Sequence, residues 1–424
     1  MLKAHLNQKI AQLIPTDEPF AIAFSGGGDS TALVHALKDH PQAKQVYIVD
    51  HDLRKGSGAE AHTAKDFAIA YGFDAIILLW AHNSPETAIQ EKARCARYGL
   101  MGQACRHAGI QYLLTAHSED DQAETLLMRY ERRTDWRGAA AMAEVSHGPV
   151  WPQLAGVNIV RPLLSVTRQV LRDYNRAHSL NWAEDPSNDN RDYARIRARD
   201  YLKSHETLRQ SLLATAREMR GYLNDEKAML RQQFASIGQI DENGIITFSK
   251  LPVPELLFHA LRCAGGQGGT IDRMRLKKLL RQMRGDHFKS ATLGGALVAR
   301  HKSGFVICRD PVAVKGRQDG HHKRQAIRHE LGFRLSDMPQ IWDGRFIVTG
   351  SDDQSIGAVH HEAQSLTKKQ RQNLKTILAP ARATLPVFKE GKLIQSIGEA
   401  KSGAIHVESL VKMRLEAALG GRLA

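Results

Sequence analysis

The sequence predicts an α/β protein: a doubly wound, mostly parallel sheet, followed by a helical basic domain and a small C-terminal α/β domain. Two observations predict this fold class. Through the first 180 residues, short apolar runs alternate with amphipathic stretches, a pattern typical of βαβ units. The charge is also divided unevenly, since residues 1–200 carry 23 Lys and Arg against 24 Asp and Glu, whereas the remaining 224 residues carry a net charge of +15.

The individual elements follow from the apolar runs and the stretches between them. Strands are predicted at residues 21–24, 46–49, 75–80, 112–116 and 158–160, and helices at residues 30–38, 58–71, 85–108, 120–131 and 168–178. Beyond about residue 205 we expect basic helices at 205–234 and 273–283, and then short strand-like pieces at 296–298, 305–308, 341–348, 385–388 and 393–396. A polar stretch at residues 321–324 is interpreted as a linker. The predicted domains are therefore 1–205, 206–315 and 316–424.

Composition excludes several classes of protein. Hydrophobic residues make up 42% and charged residues 25% of the 424, which is typical of a folded chain rather than a disordered one. No apolar run approaches the roughly 20 residues of a membrane span, and the N-terminus lacks a secretory leader pattern, so we expect a cytoplasmic protein with no membrane partner. The four cysteines form no C-x-x-C pair, which argues against a disulfide framework or a four-cysteine zinc site. The basic rear half favours a polyanionic partner such as nucleic acid.

A glycine-rich loop directly after the first predicted strand is the most informative feature, with the sequence Ser25-Gly26-Gly27-Gly28-Asp29-Ser30. Glycine lets the backbone pass close to a phosphate, and the N–H groups at the start of the next helix favour an anion. The loop lacks the G-K-[ST] of a Walker A motif, and Thr31 stands where a dinucleotide-binding fingerprint needs glycine. It matches S-G-G-x-D-S, and it therefore resembles the pyrophosphate loop of the ATP pyrophosphatases.

Polar residues follow two further predicted strands. Asp50-His51 comes at the end of the second strand, and Thr115-Ala116-His117 at the end of the fourth. Ligands of open α/β sheets bind outside the carboxyl ends of the strands. The sequence therefore predicts one crevice that the loop and these two strand ends share.

Two carboxylates follow His117, with Asp121 and Glu124 at spacings that place all three side chains on one helical face. Such a pair suits an ammonium group or a metal ion, but an acidic helix N-terminus is an equally ordinary interpretation. Arg94 and Arg97 share a face of the preceding helix. These arginines either neutralise the charge of a triphosphate in a transition state or simply form a solvent-exposed face of the helix. The sequence leaves both interpretations open.

With these residues in place, the chain resembles the tRNA(Ile)-lysidine synthetase family over residues 20–205. Beyond the loop, the resemblance rests on an ordered set of motifs: Val49-Asp50-His51-x-Leu53-Arg54-x-x-Ser57, Ala93-Arg94-x-x-Arg97-Tyr98, Ala116-His117-x-x-Asp120-Asp121-Gln122-x-Glu124-Thr125, Arg161-Pro162-Leu163-Leu164, Glu184-Asp185-Pro186-Ser187-Asn188 and Tyr193-x-Arg195-x-x-x-Arg199. The rear half matches more loosely. The resemblance implies an adenine-nucleotide alpha-hydrolase-like fold.

The activity that the resemblance implies is ligation of L-lysine to the wobble cytidine of a tRNA(Ile) with a CAU anticodon. ATP adenylates the C2 oxygen of the base and releases pyrophosphate, and the amine of lysine then displaces AMP. The implied cofactors are ATP and Mg²⁺, and the implied partners are tRNA(Ile) and L-lysine.

The resemblance also implies roles for individual residues. Residues 25–30 bind the pyrophosphate of ATP, with Asp29 placing Mg²⁺ and acting with Arg97 as a catalytic residue. Asp50 and His51 bind near the adenosine. Lysine binding falls to His117, Asp121 and Glu124, and tRNA binding to Arg195 and Arg199.

Three positions depart from the family pattern. Asp52 stands in place of a glycine, and because Asp tolerates positive φ better than most residues, we expect the turn to survive. Residues 132–135, Arg-Arg-Thr-Asp, replace a glycine-rich R-G-S-G stretch, and Ile196 replaces a polar residue.

Two alternative functions remain open for this chain. One is another tRNA-modifying ATP pyrophosphatase, although a thiolase normally needs a C-x-x-C pair and an amidotransferase needs a glutaminase domain. The other is a non-catalytic RNA-binding protein that retains a nucleotide site. Against it stand Asp29, Arg97, Asp121 and Glu124, which a protein without catalysis is free to lose.

Overall fold

The computed structural model describes residues 1–52, 56–81, 89–183, 194–266, 271–315, 332–391, 393–400, 405–421 and 423. The chain forms two compact units, Met1–Glu226 and Lys227–Ala424, and the boundary falls inside one long helix. Leu53, Arg54, the motif at 184–188, Tyr193 and the linker at 321–324 lie outside the described residues. In the part of the chain that is described, no helix has both the length and the apolar character needed to cross a membrane.

The first unit is built on a six-stranded sheet. Its strands are β1 (Phe20–Ala23), β2 (Ala43–Asp50), β3 (Asp74–Leu79), β4 (Tyr112–Leu114), β5 (Val145–His147) and β6 (Asn158–Val160). They are arranged in the order β3-β2-β1-β4-β6-β5, and all neighbours are parallel except β5 and β6. The predicted parallel sheet and its five strands are confirmed. β5 was not predicted, because Val-Ser-His is too short and too polar to read as an apolar run.

The first unit also contains helices, the last of which continues into the second unit. They are α1 (Leu2–Leu13), α2 (Gly28–Ala36), α3 (Ser57–Ala70), α4 (Ile89–His107), α5 (Glu119–Glu131), α6 (Trp136–Ala139), α7 (Arg168–Ala177), α8 (Ala194–Lys203) and α9 (Glu206–Ile237). Successive strand residues point to opposite faces. Ile22 accordingly packs with Leu33 of α2, whereas Ala21 packs with Met101 of α4. The prediction missed α1, α6 and α8.

The strand order reverses between β1 and β4. From β1 the chain moves through α2 to β2 on one side, and from β4 it moves on to β6 on the other. Connections that leave two neighbouring strands in opposite directions open a crevice at the carboxyl ends of those strands. This crevice lies where residues 24–27 and 115–118 follow β1 and β4.

The second unit begins with a five-stranded antiparallel sheet and the helices packed on it. These elements are β7 (Gly238–Ile240), β8 (Ile246–Phe248), α10 (Pro254–Ala264), α11 (Arg273–Met283), β9 (Ser290–Leu293), β10 (Ala296–His301), β11 (Gly304–Arg309) and α12 (Pro311–Lys315), with the strand order β7-β8-β11-β10-β9. On α11 the leucines at 276, 279 and 280 are buried, so its basic side chains lie on the opposite, exposed face.

Short strands and helices make up the rest of the second unit. They are β12 (Phe333–Arg334), β13 (Gln340–Trp342), β14 (Phe346–Thr349), β15 (Gln354–Ala358), α13 (Val359–Glu362), α14 (Lys368–Asn373), a 3₁₀ turn (Leu374–Thr376), α15 (Ala379–Arg382), β16 (Pro386–Glu390), β17 (Leu393–Ser396), α16 (Ile397–Ala400), β18 (His406–Ser409) and α17 (Val411–Leu419). The run 341–348 is a hairpin, because Asp343 and Gly344 both adopt positive φ. α17 returns to pack against α10. The predicted boundary at residues 315 and 316 stays a proposal.

Candidate active site

The glycine-rich loop joins β1 to α2, and its last residues form the first turn of that helix. Gly26 adopts φ +76°, a conformation that favours glycine. The Ser30 hydroxyl donates to the carbonyl of Gly27 at 2.9 Å and lies 3.1 Å from the hydroxyl of Ser25, so the side chains shape the loop from within. Because the first N–H groups of a helix lack intrahelical partners, the start of α2 is suited to bind a phosphate.

Neighbouring segments hold this loop closely. The backbone N–H of Ala183 donates to the carbonyl of Gly26 at 2.9 Å, and Nδ2 of Asn175 donates to the carbonyl of Gly28 at 2.8 Å. A Cβ atom at Gly28 would stand 3.4 Å from the ring of Trp182, which leaves little space for a side chain there. The conformation of the loop is therefore held by hydrogen bonds and packing from neighbouring segments.

The end of β2 presents Asp50 and His51 at the same crevice. Oδ1 of Asp50 accepts the backbone N–H of Asp52 at 3.0 Å. Asp52 adopts φ +47°, so the expectation that Asp can replace glycine in this turn is confirmed. Oδ2 of Asp50 would lie 3.5 Å from a Cβ atom at Gly58, which places this carboxylate beside the start of α3.

Arg97 of α4 lies against His51. Its Nε donates to Nε2 of the imidazole at 3.1 Å, a contact that requires an unprotonated acceptor nitrogen. Arg94 lies over the ring of Tyr98, with 5.0 Å between the guanidinium carbon and the ring centroid. Both arginines line the crevice, where they are available to an anionic ligand.

The end of β4 carries Thr115, His117 and the capped start of α5. The hydroxyl of Thr115 lies 2.8 Å from Nδ1 of His117, and burial is the main cause that lowers the pKa of this imidazole. The prediction that His117 shares a helical face with the two carboxylates is wrong, because α5 begins only at Glu119. Oδ2 of Asp121 accepts the backbone N–H of Ser118 at 2.8 Å, so this carboxylate also caps its own helix.

Asp121 and Glu124 are surrounded by guanidinium groups. Glu124, whose side chain is only 2% exposed, accepts hydrogen bonds from Arg168 at 3.2 Å, Arg195 at 3.1 Å and Arg199 at 2.8 Å. Burial works to raise the pKa of Asp121, but Arg195 and Arg168 outweigh it and hold this pKa below its ordinary value. Asp121 is therefore ionised in the folded chain.

Asp29 completes the acidic side of the crevice. Burial raises the pKa of Asp29 to about 6, although Arg168 opposes this shift. Nε of Arg168 lies 3.3 Å from Oδ2 of Asp29. Arg168 was not predicted as a site residue, because its position after Thr167 at the start of a helix carries no motif signal.

Most of these groups line one cleft of about 1470 Å³ in the first unit. The structure brings together the predicted residues Ser25, Gly27, Gly28, Asp29, Ser30, Asp50, His51, Arg97, His117, Asp121, Glu124, Arg195 and Arg199, and Gly26 lies in the backbone of the same loop. A cleft of this size exceeds the usual volume of a site for one small ligand, roughly 300–1,000 Å³. Among the described residues, no three His, Cys, Asp or Glu side chains are grouped as a metal site.

The residues that depart from the glycine-rich pattern form ordered structure. Arg133 adopts φ +52°, and the side chain of Asp135 accepts the backbone N–H of Gly138 at 3.1 Å to cap α6. Nη1 of Arg129 donates to the carbonyl of Gly138 at 2.8 Å. Residues 132–135 thus form a turn that caps the short helix α6, and α6 is tied to α5. Ile196, the third departure, is buried.

The loop, the parallel sheet and the crevice at its switch point define a protein of the PP-loop class, and the PP-loop domain family matches residues 2–206. Curated proteins extend the similarity to most of the chain. The tRNA(Ile)-lysidine synthase of Caulobacter vibrioides is 31% identical over 95% of this chain and 93% of its own length. The enzymes of the same name from Ruegeria pomeroyi and Brucella anthropi are 33% and 31% identical, over 78% and 91% of this chain and 76% and 87% of their own lengths. The chain belongs to the tRNA(Ile)-lysidine synthase family.

Proposed function

We propose that this chain uses ATP to ligate L-lysine to the wobble cytidine of a tRNA(Ile) with a CAU anticodon, in the cytoplasm. The observation that carries the proposal is the convergence of a phosphate-binding loop and a buried carboxylate pair in one cleft. A nucleotide-binding protein without catalysis needs the loop but has no use for Asp121 and Glu124 at this place. Family membership supports the same reaction.

In the first half of the reaction, the C2 oxygen of the cytosine attacks the α-phosphate of ATP and pyrophosphate leaves. Residues 25–30 hold the pyrophosphate, since the loop and the start of α2 present backbone N–H groups to an anion. Asp50 and His51 border the adenosine. Arg97 lies against His51 and offsets the charge that develops on the α-phosphate.

Mg²⁺ fits beside Asp29. This ion commonly takes one or two protein carboxylates and completes its coordination with water and substrate phosphates, so a cluster of three protein ligands is not required. Asp29 is partly exposed at the phosphate loop, and its Oδ2 lies 3.3 Å from Nε of Arg168. When bound there, Mg²⁺ supplies charge neutralisation at the phosphates.

In the second half, the amine of lysine attacks C2 of the adenylated base, AMP leaves with the C2 oxygen, and the amine loses a proton. Asp121 and Glu124 bind the charged amine of the lysine substrate. The guanidinium groups around them can donate hydrogen bonds to the carboxylate of the same lysine. Because the pKa of His117 is lowered, this imidazole is a weak proton acceptor. We therefore assign His117 to binding rather than to deprotonation of the amine.

The tRNA is held by positive charge. The net charge of +15 in residues 201–424 favours the phosphate backbone, and Arg195 and Arg199 lie on α8 at the cleft. These two arginines contact Glu124, so a role in tRNA binding requires their outer N–H groups to face the RNA.

Transfer of labelled lysine tests the proposed function. The full-length chain is incubated with ATP, labelled L-lysine and tRNA(Ile) bearing the CAU anticodon, and label in the tRNA is counted. We expect ATP-dependent incorporation, and none into a tRNA(Ile) whose wobble base is not cytidine. The absence of label together with incorporation of sulfur from a sulfur donor would instead indicate a tRNA thiolase.

A further inference from the structure

The side chain of Arg168 joins two parts of the cleft. Its Nε contacts Asp29 of the loop at 3.3 Å, while Nη1 and Nη2 contact Glu124 at 3.2 Å and Asp121 at 3.0 Å on α5. From these contacts we propose that Arg168 is a positioning residue that couples the nucleotide loop to the carboxylate pair, so that both half-reactions depend on it. The inference rests on the proposed function, in which the loop binds ATP and the pair binds lysine.

Arg168 is anchored through its backbone as well as through its side chain. It is the first residue of α7, and its backbone N–H donates to Oδ2 of Asp120 at 2.7 Å. Its side chain is 15% exposed. This residue therefore has little freedom to move unless one of its carboxylate partners moves with it.

The helix that carries Arg168 is fastened to the helix that carries the loop. Asn175 of α7 donates to the carbonyl of Gly28 at 2.8 Å, and the hydroxyl of Tyr174 lies 2.9 Å from Nδ1 of His35 near the end of α2. Asn175 is buried, and so is His35. These contacts fix the position of α7 relative to α2, and they therefore fix the distance between Arg168 and the loop.

Arginine is the one side chain suited to these three contacts. A guanidinium group is planar and directs five N–H donors in a fixed fork, whereas a lysine ammonium is a compact point charge. Without a cation between them, Asp29, Asp121 and Glu124 would repel one another at close range. In the described part of the chain, the contacts of Arg195 and Arg199 are with α5 residues, so Arg168 has a different place in the cluster.

The test compares the full-length chain with Arg168→Lys and Arg168→Gln. Arg176→Lys is the matched control, because Arg176 lies on the same helix, is exposed and pairs with Asp173 at 3.0 Å. Two quantities are measured for each: the rate of pyrophosphate release with ATP and tRNA(Ile) in lysine-free buffer, and the KM for lysine in the complete reaction. Thermal unfolding of each variant is followed alongside.

We expect Arg168→Lys to slow pyrophosphate release about tenfold and to raise the lysine KM about tenfold, with larger effects for Arg168→Gln. The control should stay within about twofold in both quantities. A joint change in folded variants supports the coupling, because a residue of one subsite affects one half-reaction alone.

Other outcomes overturn the inference. A change confined to one half-reaction would assign Arg168 to that subsite only, and no change in either would remove it from the mechanism. Loss of the cooperative unfolding transition in both variants would show that Arg168 maintains the fold. If the wild-type chain itself transfers no lysine, the proposed function fails. The wild-type measurement therefore distinguishes this failure from a failure of the inference about Arg168.

Discussion

Substitution of Glu124 by Gln tests the charge at the centre of the carboxylate cluster. Gln has nearly the same size, so the variant removes the negative charge and keeps one acceptor oxygen. Glu124 is only 2% exposed and contacts three guanidinium groups, of Arg168, Arg195 and Arg199, at 2.8 to 3.2 Å. Removal of one partner from a buried ion pair costs about 3–5 kcal/mol. Because the retained oxygen still accepts a hydrogen bond, we expect the free energy of unfolding to fall by about 3 kcal/mol.

The same substitution should separate the two half-reactions. A charge-assisted hydrogen bond contributes about 1.5–3 kcal/mol, so loss of the contact to lysine should raise the lysine KM about 10- to 100-fold. Adenylated tRNA should still form in lysine-free buffer, because the phosphate loop is unchanged. Urea unfolding and steady-state kinetics measure the two effects, with Glu131→Gln as the control, since Glu131 is exposed on the same helix. Equal losses in adenylation and lysine transfer would contradict the assignment and place Glu124 with the nucleotide.

Four further predictions address other parts of the chain. Asp29→Ala should abolish pyrophosphate release and leave tRNA affinity nearly unchanged, and wild-type turnover in a pyrophosphate assay would refute its role. Asp343→Asn should lower the free energy of unfolding by about 3–5 kcal/mol, because the buried Asp343 pairs with Arg309 and Arg345 at 2.8 Å each. The exposed Asp352→Asn should stay within about 0.5 kcal/mol in the same denaturation, and equal effects would contradict the argument. Burial lowers the pKa of His117 from 6.5, so below that pH the unfolded chain binds a proton that the folded chain does not. The free energy of unfolding should therefore fall by about 1.4 kcal/mol per pH unit below 6.5. Urea unfolding at pH 7 and pH 5 measures this change, which should be smaller in His117→Gln than in the wild-type chain. Finally, tRNA binding should weaken with salt at a log–log slope of roughly −3 to −6, and a fragment of residues 1–226 should lose most of that slope; an unchanged slope in a filter-binding titration would move the tRNA site to the first unit.

Local sequence was sufficient for the parallel sheet and the phosphate loop. β1 and residues 46–48 of β2 are apolar runs that are buried on both faces, and such runs are visible without any tertiary information. Ser25 and the glycines at 26–28 follow the first of these runs, and Gly26 adopts a positive φ, which favours glycine. Asp52 was predictable for the same reason, because tolerance of positive φ is a property of the residue itself.

Elements that depend on partners elsewhere in the chain were less predictable. α1 was missed although Leu2, Leu6 and Ile10 form a buried stripe, because only the sheet it packs against distinguishes that stripe from a polar terminus. His117 was expected on a helix that in fact begins two residues later, since the capping role of Asp121 moves the start of α5 to Glu119. The Asp-Gly turn at residue 343 is a local signal, since both residues tolerate positive φ.

The sequence by itself determined which chemical groups this protein brings to its site: a phosphate loop, two strand ends and an acidic pair. Only the tertiary structure decided how they are joined. Arg168 lies 139 residues from Asp29, 47 from Asp121 and 44 from Glu124 along the chain, and no spacing rule connects positions so far apart. Backbone conformation depends on neighbouring residues, whereas the pairing of charges depends on which surfaces the closed fold brings within about 4 Å of each other.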